Sequence, residues 1–293
     1  MQWGQIMTHD MSMLAGSTQS SSYYHYYIIN KRLFIIKLLS ITEKHATRCC
    51  TDDGKLISRE TASKSCYPIL TPPNDPAHSQ TGTECMNFVR TVTDKDRNCP
   101  GSQGHTPAEQ LTVVTPFLDL SIVYGSSEEQ GRPIRAYQNG RMIVEQRNGQ
   151  EWPPSAPNAS ASCDVETQNE VCYLAGDVRV NQNTGLTILQ IMLLREHNRI
   201  ADKLQALNPH WDDETVFQET RRINIAEYQH ISYYEWLPFF LGQDNMINNR
   251  LLYKPTKGSF INDYNPSIDP SVINSHATAA FRYFHSQIEG RLE

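Results

Sequence analysis

The sequence predicts a mainly α-helical fold with little β structure, and three observations carry the prediction. Apolar residues recur at helical spacing at the start of the chain and again in two long later stretches. Strand-like and helix-like segments do not alternate as a parallel α/β sheet requires. No segment repeats at a fixed period. At 293 residues the chain suffices for one large domain or two modest ones. Lys+Arg 26 against Asp+Glu 32 leaves a net charge of −6, with no basic tract. That balance argues against a nucleic-acid partner.

The elements follow in order. Residues 1–13 read as a helix, with Trp3, Ile6, Met7 and Met11 at roughly helical spacing. Gln5 and His9 are four apart and share one helical face. Residues 14–112 read as mostly irregular, with a turn region at Pro72-Pro73-Asn74-Asp75-Pro76. Inside them, residues 20–43 are out of character, because Tyr, Ile and Leu crowd between polar flanks. Asn30, Lys31, Arg32 and Lys37 interrupt this stretch, so it is not read as a membrane span. It reads as a buried hairpin or short helix, or as an insertion from an unspliced or misassembled gene model. The second reading is preferred.

Residues 113–125 form an apolar run carrying Thr115, Asp119 and Ser121, as a broken, partly helical segment with a polar loop would. Residues 134–162 are rich in Gly, Asn and Pro and read as a loop. Leu186 to Leu207 reads as a long helix starting at Asn183 or Thr184 and ending at Asn208-Pro209. Its inward face is read as Leu189, Met192, Leu193, Ile200, Leu204 and Leu207. A second long helix starts at Asp213, with Val216, Phe217, Ile223, Ala226 and Ile231 recurring, and ends near Pro238. A last helix is expected over Ser271 to Ile288.

The seven cysteines are Cys49, Cys50, Cys66, Cys85, Cys99, Cys163 and Cys172. None lies in a CxxC pair, which weakens zinc and thioredoxin-like readings. Disulfides fit an oxidising compartment, and Cys163 with Cys172 could close a small loop. The odd total implies a free thiol, a lost partner or an intermolecular bond. Asn158-Ala159-Ser160 is a glycosylation acceptor, a weak pointer to secretion. No signal peptide opens the chain, so in a secreted protein it would lie upstream.

Taken alone, His9 is a structural histidine on an amphipathic helix and Arg179 a salt-bridge residue. Five blocks in order change both readings: MQWGQxxxHD, TPFLDLSxVYGS, AGDxRVNxxxGLT, LLREHNRIA and AFRYxH. Together they resemble the animal haem peroxidases of the peroxidase–cyclooxygenase superfamily, most nearly the invertebrate peroxinectin and chorion-peroxidase types. The chain resembles part of such a catalytic domain: a distal helix over 1–19, a calcium-type loop over 113–125, and a helical core over 175–288.

The resemblance implies a role for each matching residue. His9 would be the distal histidine that moves a proton between the oxygens of H2O2. Gln5 would contact distal water or a halide. Arg179 would be the distal arginine, stabilising charge as the O–O bond breaks. His285 would be the proximal ligand of the haem iron, with His276 as internal rival. The family's acceptor for that ligand, an asparagine, would fall beyond residue 293. Asp10, Thr115, Phe117 (through its carbonyl), Asp119 and Ser121 match a Ca2+ loop of hard oxygen ligands. Arg195-Glu196-His197-Asn198-Arg199 would serve as a packing and salt-bridge network, and His197 is not placed on the haem.

Two departures bear on the cofactor. Where vertebrate relatives carry ester-forming carboxylates, this chain has Thr8 and Gln182, and Asn183 replaces a methionine. Haem b would then be held without ester links at those positions, and phenolic or tyrosine-like donors would be favoured over chloride. The implied partners are H2O2 and small aromatic donors, and the implied location is extracellular. The rival reading is an incomplete or pseudo-peroxidase with an adhesion or matrix role through a cell-surface protein. No RGD triplet supports it.

Overall fold

The computed structural model describes residues 2–16, 27–28, 48–76, 78, 80–99, 102, 104–157, 163, 170–253 and 264–287. Helices dominate, and the three sheets among the described residues each have two short strands. Two compact units divide the chain. One comprises Met1–Met11, Val114–Pro270 and Phe281–Glu293; the other comprises Ser12–Val113 and Ser271–Ala280.

The first unit holds the long helices. Helix α1, Gln2–Met11, buries Gly4, Ile6, Met7, His9 and Asp10. A short helix α2 follows at Ser121–Tyr124, and α3 at Glu128–Gly131. Helix α4, Thr184–Leu207, starts where the capping residue predicts: the Asn183 side chain accepts the Leu186 amide at 2.9 Å. Helix α5, Asp213–His230, is capped by Asp212, whose carboxylate accepts from the Thr215 amide, and Asp213 and Glu214 complement its N-terminal dipole. The core joins Ile6 and Met7 of α1, Leu120 to Tyr124, Leu186, Leu193 and Leu194 of α4, and Phe217 and Tyr228 of α5.

The long helices bury part of the expected face, with Leu193, Ile200, Val216 and Phe217 inside, and depart from it elsewhere. Met192, Leu207 and Ile223 are exposed, and α4 instead buries Gln190, His197 and Asn198 while α5 buries Thr220 and Asn224. Hydrogen bonds hold His197, Asn198 and Asn224 inside. Asn198 accepts the Met142 amide at 2.8 Å, and His197 joins the Tyr124 hydroxyl at 2.9 Å and the Gly140 carbonyl at 2.8 Å. Apolar periodicity does not register such a face. Two boundaries also differ. The chain stays helical past Trp236, through a π turn at Ile231–Trp236 into α6 at Leu237–Leu241, with Pro238 at the start of α6. Helix α7 is Gln243–Asn248. The expected final helix is α8, Asn274–Thr278, followed by 3-10 turns over Ala280–Gln287.

The second unit is both packed, around Ala15, Val92, Leu111 and Val113, and stapled. Disulfides Cys49–Cys66 and Cys50–Cys85 cross-link it, and Cys99 is buried as a free thiol. Only Tyr27–Ile28 of the atypical 20–43 stretch is described, pairing antiparallel with Leu111–Thr112. In the first unit, Cys163–Cys172 forms the small loop its spacing suggests. The loop expected over 134–162 contains a hairpin, Glu145–Arg147 with Gln150–Trp152. Its Asn148-Gly149 turn, both residues at positive φ, was the available signal. The acceptor triplet at Asn158 lies outside the described residues.

Candidate active site

The site is built on α1. One turn of helix separates Gln5 from His9, and Asp10 follows directly. His9 is buried. Burial lowers its pKa to about 3, Arg179 and Arg282 add to the shift, and Asp177 opposes it. The imidazole is therefore neutral at pH 7, and among the described residues Nδ1 has no hydrogen-bond partner.

Arg179 reaches His9 through the backbone: its Nη2 donates to the His9 carbonyl at 2.7 Å. The same guanidinium is gripped by Asp177, with Nε on Oδ1 at 2.9 Å and Nη2 on Oδ2 at 2.6 Å. Asp177 also caps the 3-10 turn Val178–Asn181 by accepting the Arg179 amide. Against burial, which would raise it, the Arg179 charge holds the Asp177 carboxyl below its usual range. Asn181 ties the turn to Tyr173 through two hydrogen bonds of 2.8 and 2.9 Å.

Three amide side chains meet on the same helical face. Asn183 donates to Gln5 Oε1 at 3.0 Å, and Gln5 donates to Gln182 Oε1 at 3.4 Å. Thr8 spends its hydroxyl on the Gly4 carbonyl. No carboxylate stands at Thr8 or Gln182 to esterify a haem methyl group.

Four of the candidate calcium ligands, Asp10, Thr115, Asp119 and Ser121, are linked by hydrogen bonds. Asp10 is buried and accepts from the Leu120 amide at 3.0 Å and the Ser121 hydroxyl at 2.8 Å. Leu120 takes a left-handed backbone, φ 57°, which turns its N–H toward this carboxylate. Asp119 accepts from the Thr115 hydroxyl and the Ser121 amide. Phe117 presents an exposed ring. Burial, then the charge of Asp119, pushes Asp10 up to about 7, and burial raises Asp119 as well. Buried neighbouring carboxylates raised in this way suit a bound cation. Among the described residues no group of three or more His, Cys, Asp and Glu side chains gathers to hold a metal.

His285 lies on the exposed 3-10 turns. Its neighbour Phe284 packs against Trp236 and Phe240. His276 belongs to the second unit. The REHN block is structural: His197 is fully buried among Tyr124 and Gly140, and Glu196 pairs with Arg199. Asp177, Gly176 and Tyr124 are the neighbours that sequence reasoning left without roles. Their presence inside the AGDxRVN and VYG blocks was the only signal.

The animal haem peroxidase family model matches residues 1–293. The chain belongs to the animal haem peroxidase family. This haem peroxidase chain is 63% identical, over its whole length, to a protein named Peroxidase from Drosophila melanogaster, and covers 39% of that protein. It is 37% identical to a chorion peroxidase of the same organism, covering 33% of it. Peroxidase A from Dictyostelium discoideum is a solved structure with a TM-score of 0.64 and 25% identity, over 97% of this chain and 45% of that one. A fatty acid alpha-dioxygenase from Arabidopsis thaliana shares the fold at a TM-score of 0.52. The chain thus spans about two fifths or less of the curated relatives' length. Among the described residues of this family member, no helix is long and apolar enough to cross a membrane.

Proposed function

We propose that this chain carries the peroxide-handling side of a haem peroxidase that oxidises small aromatic donors. One observation carries the reading: a buried, neutral His9 whose own carbonyl is bonded by the Arg179 guanidinium. The net reaction is H2O2 + 2 ArOH → 2 H2O + 2 ArO•. Bound haem supplies the redox chemistry between peroxide and donor. His9, neutral at pH 7, takes a proton from peroxide and returns it to the departing oxygen. Arg179 provides a fixed positive charge for the oxygens as they separate. Gln5, braced by Gln182 and Asn183, orients water on the same face.

His285 is the proposed iron ligand, and its exposed position leaves the imidazole available. With Thr8 and Gln182 in place of carboxylates, haem b is held by His285 and burial rather than by esters. Asp10, Thr115, Asp119, Ser121 and the Phe117 carbonyl are the proposed Ca2+ ligands; the two raised carboxyls support this. Three disulfides among the described residues support an extracellular location. The 37% identity to chorion peroxidases supports a chorion-type likeness, with the Drosophila Peroxidase more similar at 63%.

A second reading is non-catalytic, with a matrix or cell-surface partner, and the similarity to a chorion peroxidase is the observation behind it. Haem-loaded protein separates the readings. On the first, H2O2-dependent guaiacol oxidation is present and His9→Ala lowers it by about 10²–10⁴-fold. Haem binding without peroxide turnover, or turnover indifferent to His9, overturns it. Haem extracted by acid-acetone is expected to leave the protein; haem retained on a denaturing gel would contradict the ester-free attachment.

A further inference from the structure

The turn that carries Arg179 sits directly on the backbone of α2. Gly176 makes this seat. A Cβ at that position would meet the Ser121 carbonyl oxygen at 2.7 Å and the Val123 carbonyl carbon at 2.7 Å, and would press still harder on the Gly125 amide nitrogen. All three are main-chain atoms, so no side-chain rotation can make room. Relief requires the two segments to part by roughly 1 Å. The partner cannot yield easily. Gly125 is at φ 87°, its amide closes the short helix on the Ser121 carbonyl at 2.7 Å, and Gln130 and Gly131 crowd its other side.

The same short helix is anchored at both ends. At its start, the Leu120 and Ser121 donors hold Asp10, the residue after His9. At its end, the Tyr124 hydroxyl is held by His197 at 2.9 Å and by Asn224 at 2.8 Å. So α2 is a common base for the two groups assigned to peroxide chemistry. His9 connects to it through Asp10, and Arg179 through Gly176 and Asp177.

We propose that Gly176 is a positioning residue: its lack of a side chain seats the Arg179 turn on α2, and through Asp177 this seat fixes the guanidinium against the His9 carbonyl. The proposal rests on the peroxide-handling role of His9 and Arg179 for its catalytic consequence, though not for its geometric one. Gly176 touches no substrate. It acts by placing Asp177, whose carboxylate takes the amide, Nε and Nη2 of Arg179. A displacement near 1 Å in a group that stabilises a transition state lowers rate by about 100-fold.

The test uses the full chain with Gly176→Ala, Asp177→Asn and the double variant. The first readout needs no haem: the Arg179 Nε–H resonance in a 1H–15N spectrum, expected to be sharp and slowly exchanging in the unaltered protein. It should be lost in both single variants. The second readout is the rate of reaction of the haem-loaded protein with H2O2. Gly176→Ala should lower it by about 100-fold, and should add nothing further in the Asp177→Asn background, because both act on the same guanidinium. Losses that multiply in the double variant would mark a general structural defect and overturn the proposal. So would a Gly176→Ala protein that keeps both the protected resonance and the unaltered rate. If Gly176→Ala does not fold, Asp177→Asn, nearly isosteric, decides: a retained Arg179 resonance refutes the route through Asp177. If the unaltered protein binds haem but does not react with peroxide, the functional reading fails. The resonance comparison then still decides the geometric claim.

Discussion

His9 and His285 are held in different ways. His9 is buried on α1, its carbonyl is bonded by Arg179, and the next residue caps α2 with its carboxylate. His285 stands exposed on 3-10 turns that are fastened through the rings of Phe284, Trp236 and Phe240. The difference lies in what locks the backbone that carries each imidazole. Around His9, charged and main-chain hydrogen bonds with fixed directions act in a buried setting, where breaking one is costly. Around His285, the anchoring contacts are aromatic and non-directional, and they fix the backbone better than they fix the imidazole. A group that must present one atom to a small reactant benefits from the first arrangement. A metal ligand can take its final orientation from the metal it binds.

The comparison predicts a graded set of effects. Arg179→Ala should be the most damaging to stability, by about 3 kcal/mol, because it strands the buried Asp177 carboxylate. Denaturant unfolding would show this, and a loss below 1 kcal/mol would mean that the ion pair is not the lock described here. Calcium comes next. At 100 times its dissociation constant, Ca2+ should add about 2.7 kcal/mol. Asp119→Asn should abolish that gain, whereas His285→Ala should leave it intact. An equal gain in Asp119→Asn would remove the loop as the binding site.

A third effect comes from pH. Burial lowers the His197 pKa to about 4, with the nearby Arg135, Arg141 and Arg221 charges contributing and the Gly140 hydrogen bond opposing. The unfolded chain takes up this proton near 6.5 and the folded one only near 4. The stability it contributes is therefore complete above pH 6.5 and lost as pH falls from 6.5 to about 4. Between pH 7 and 5 the unaltered protein should lose about 2 kcal/mol more than His197→Gln. Identical slopes in urea unfolding would show that His197 does not titrate in this way. The smallest effect belongs to the other side of the comparison. His285→Ala should change stability by less than about 0.5 kcal/mol without haem, yet abolish the Soret band on haem addition. A large destabilisation without haem would show that His285 is structurally locked after all.

Much of this architecture was legible in the residues. Asn183 marked the start of a long helix, and its side chain caps that helix as expected. Gln5, His9 and Asp10 shared a helix whose spacing placed them together. The inward faces of α4 and α5 were less legible, because Gln190, His197, Asn198 and Asn224 are buried polar residues, the last three held by hydrogen-bonding partners far along the chain. Hydrophobic periodicity reads such residues as surface.

The sequence by itself determined the helical class, the family, the main helix starts and the candidate chemistry of His9, Arg179 and His285. These follow from local spacing, capping and ordered motifs, which are properties of neighbours in the chain. Only the tertiary structure decided that Asp177 grips Arg179, that Gly176 lies on the backbone of Ser121–Gly125, and that Asp10 caps α2. The last two contacts join residues some 50 to 110 positions apart. Close approach of two backbones and the pairing of buried charges depend on distances in space, which spacing along the chain does not encode.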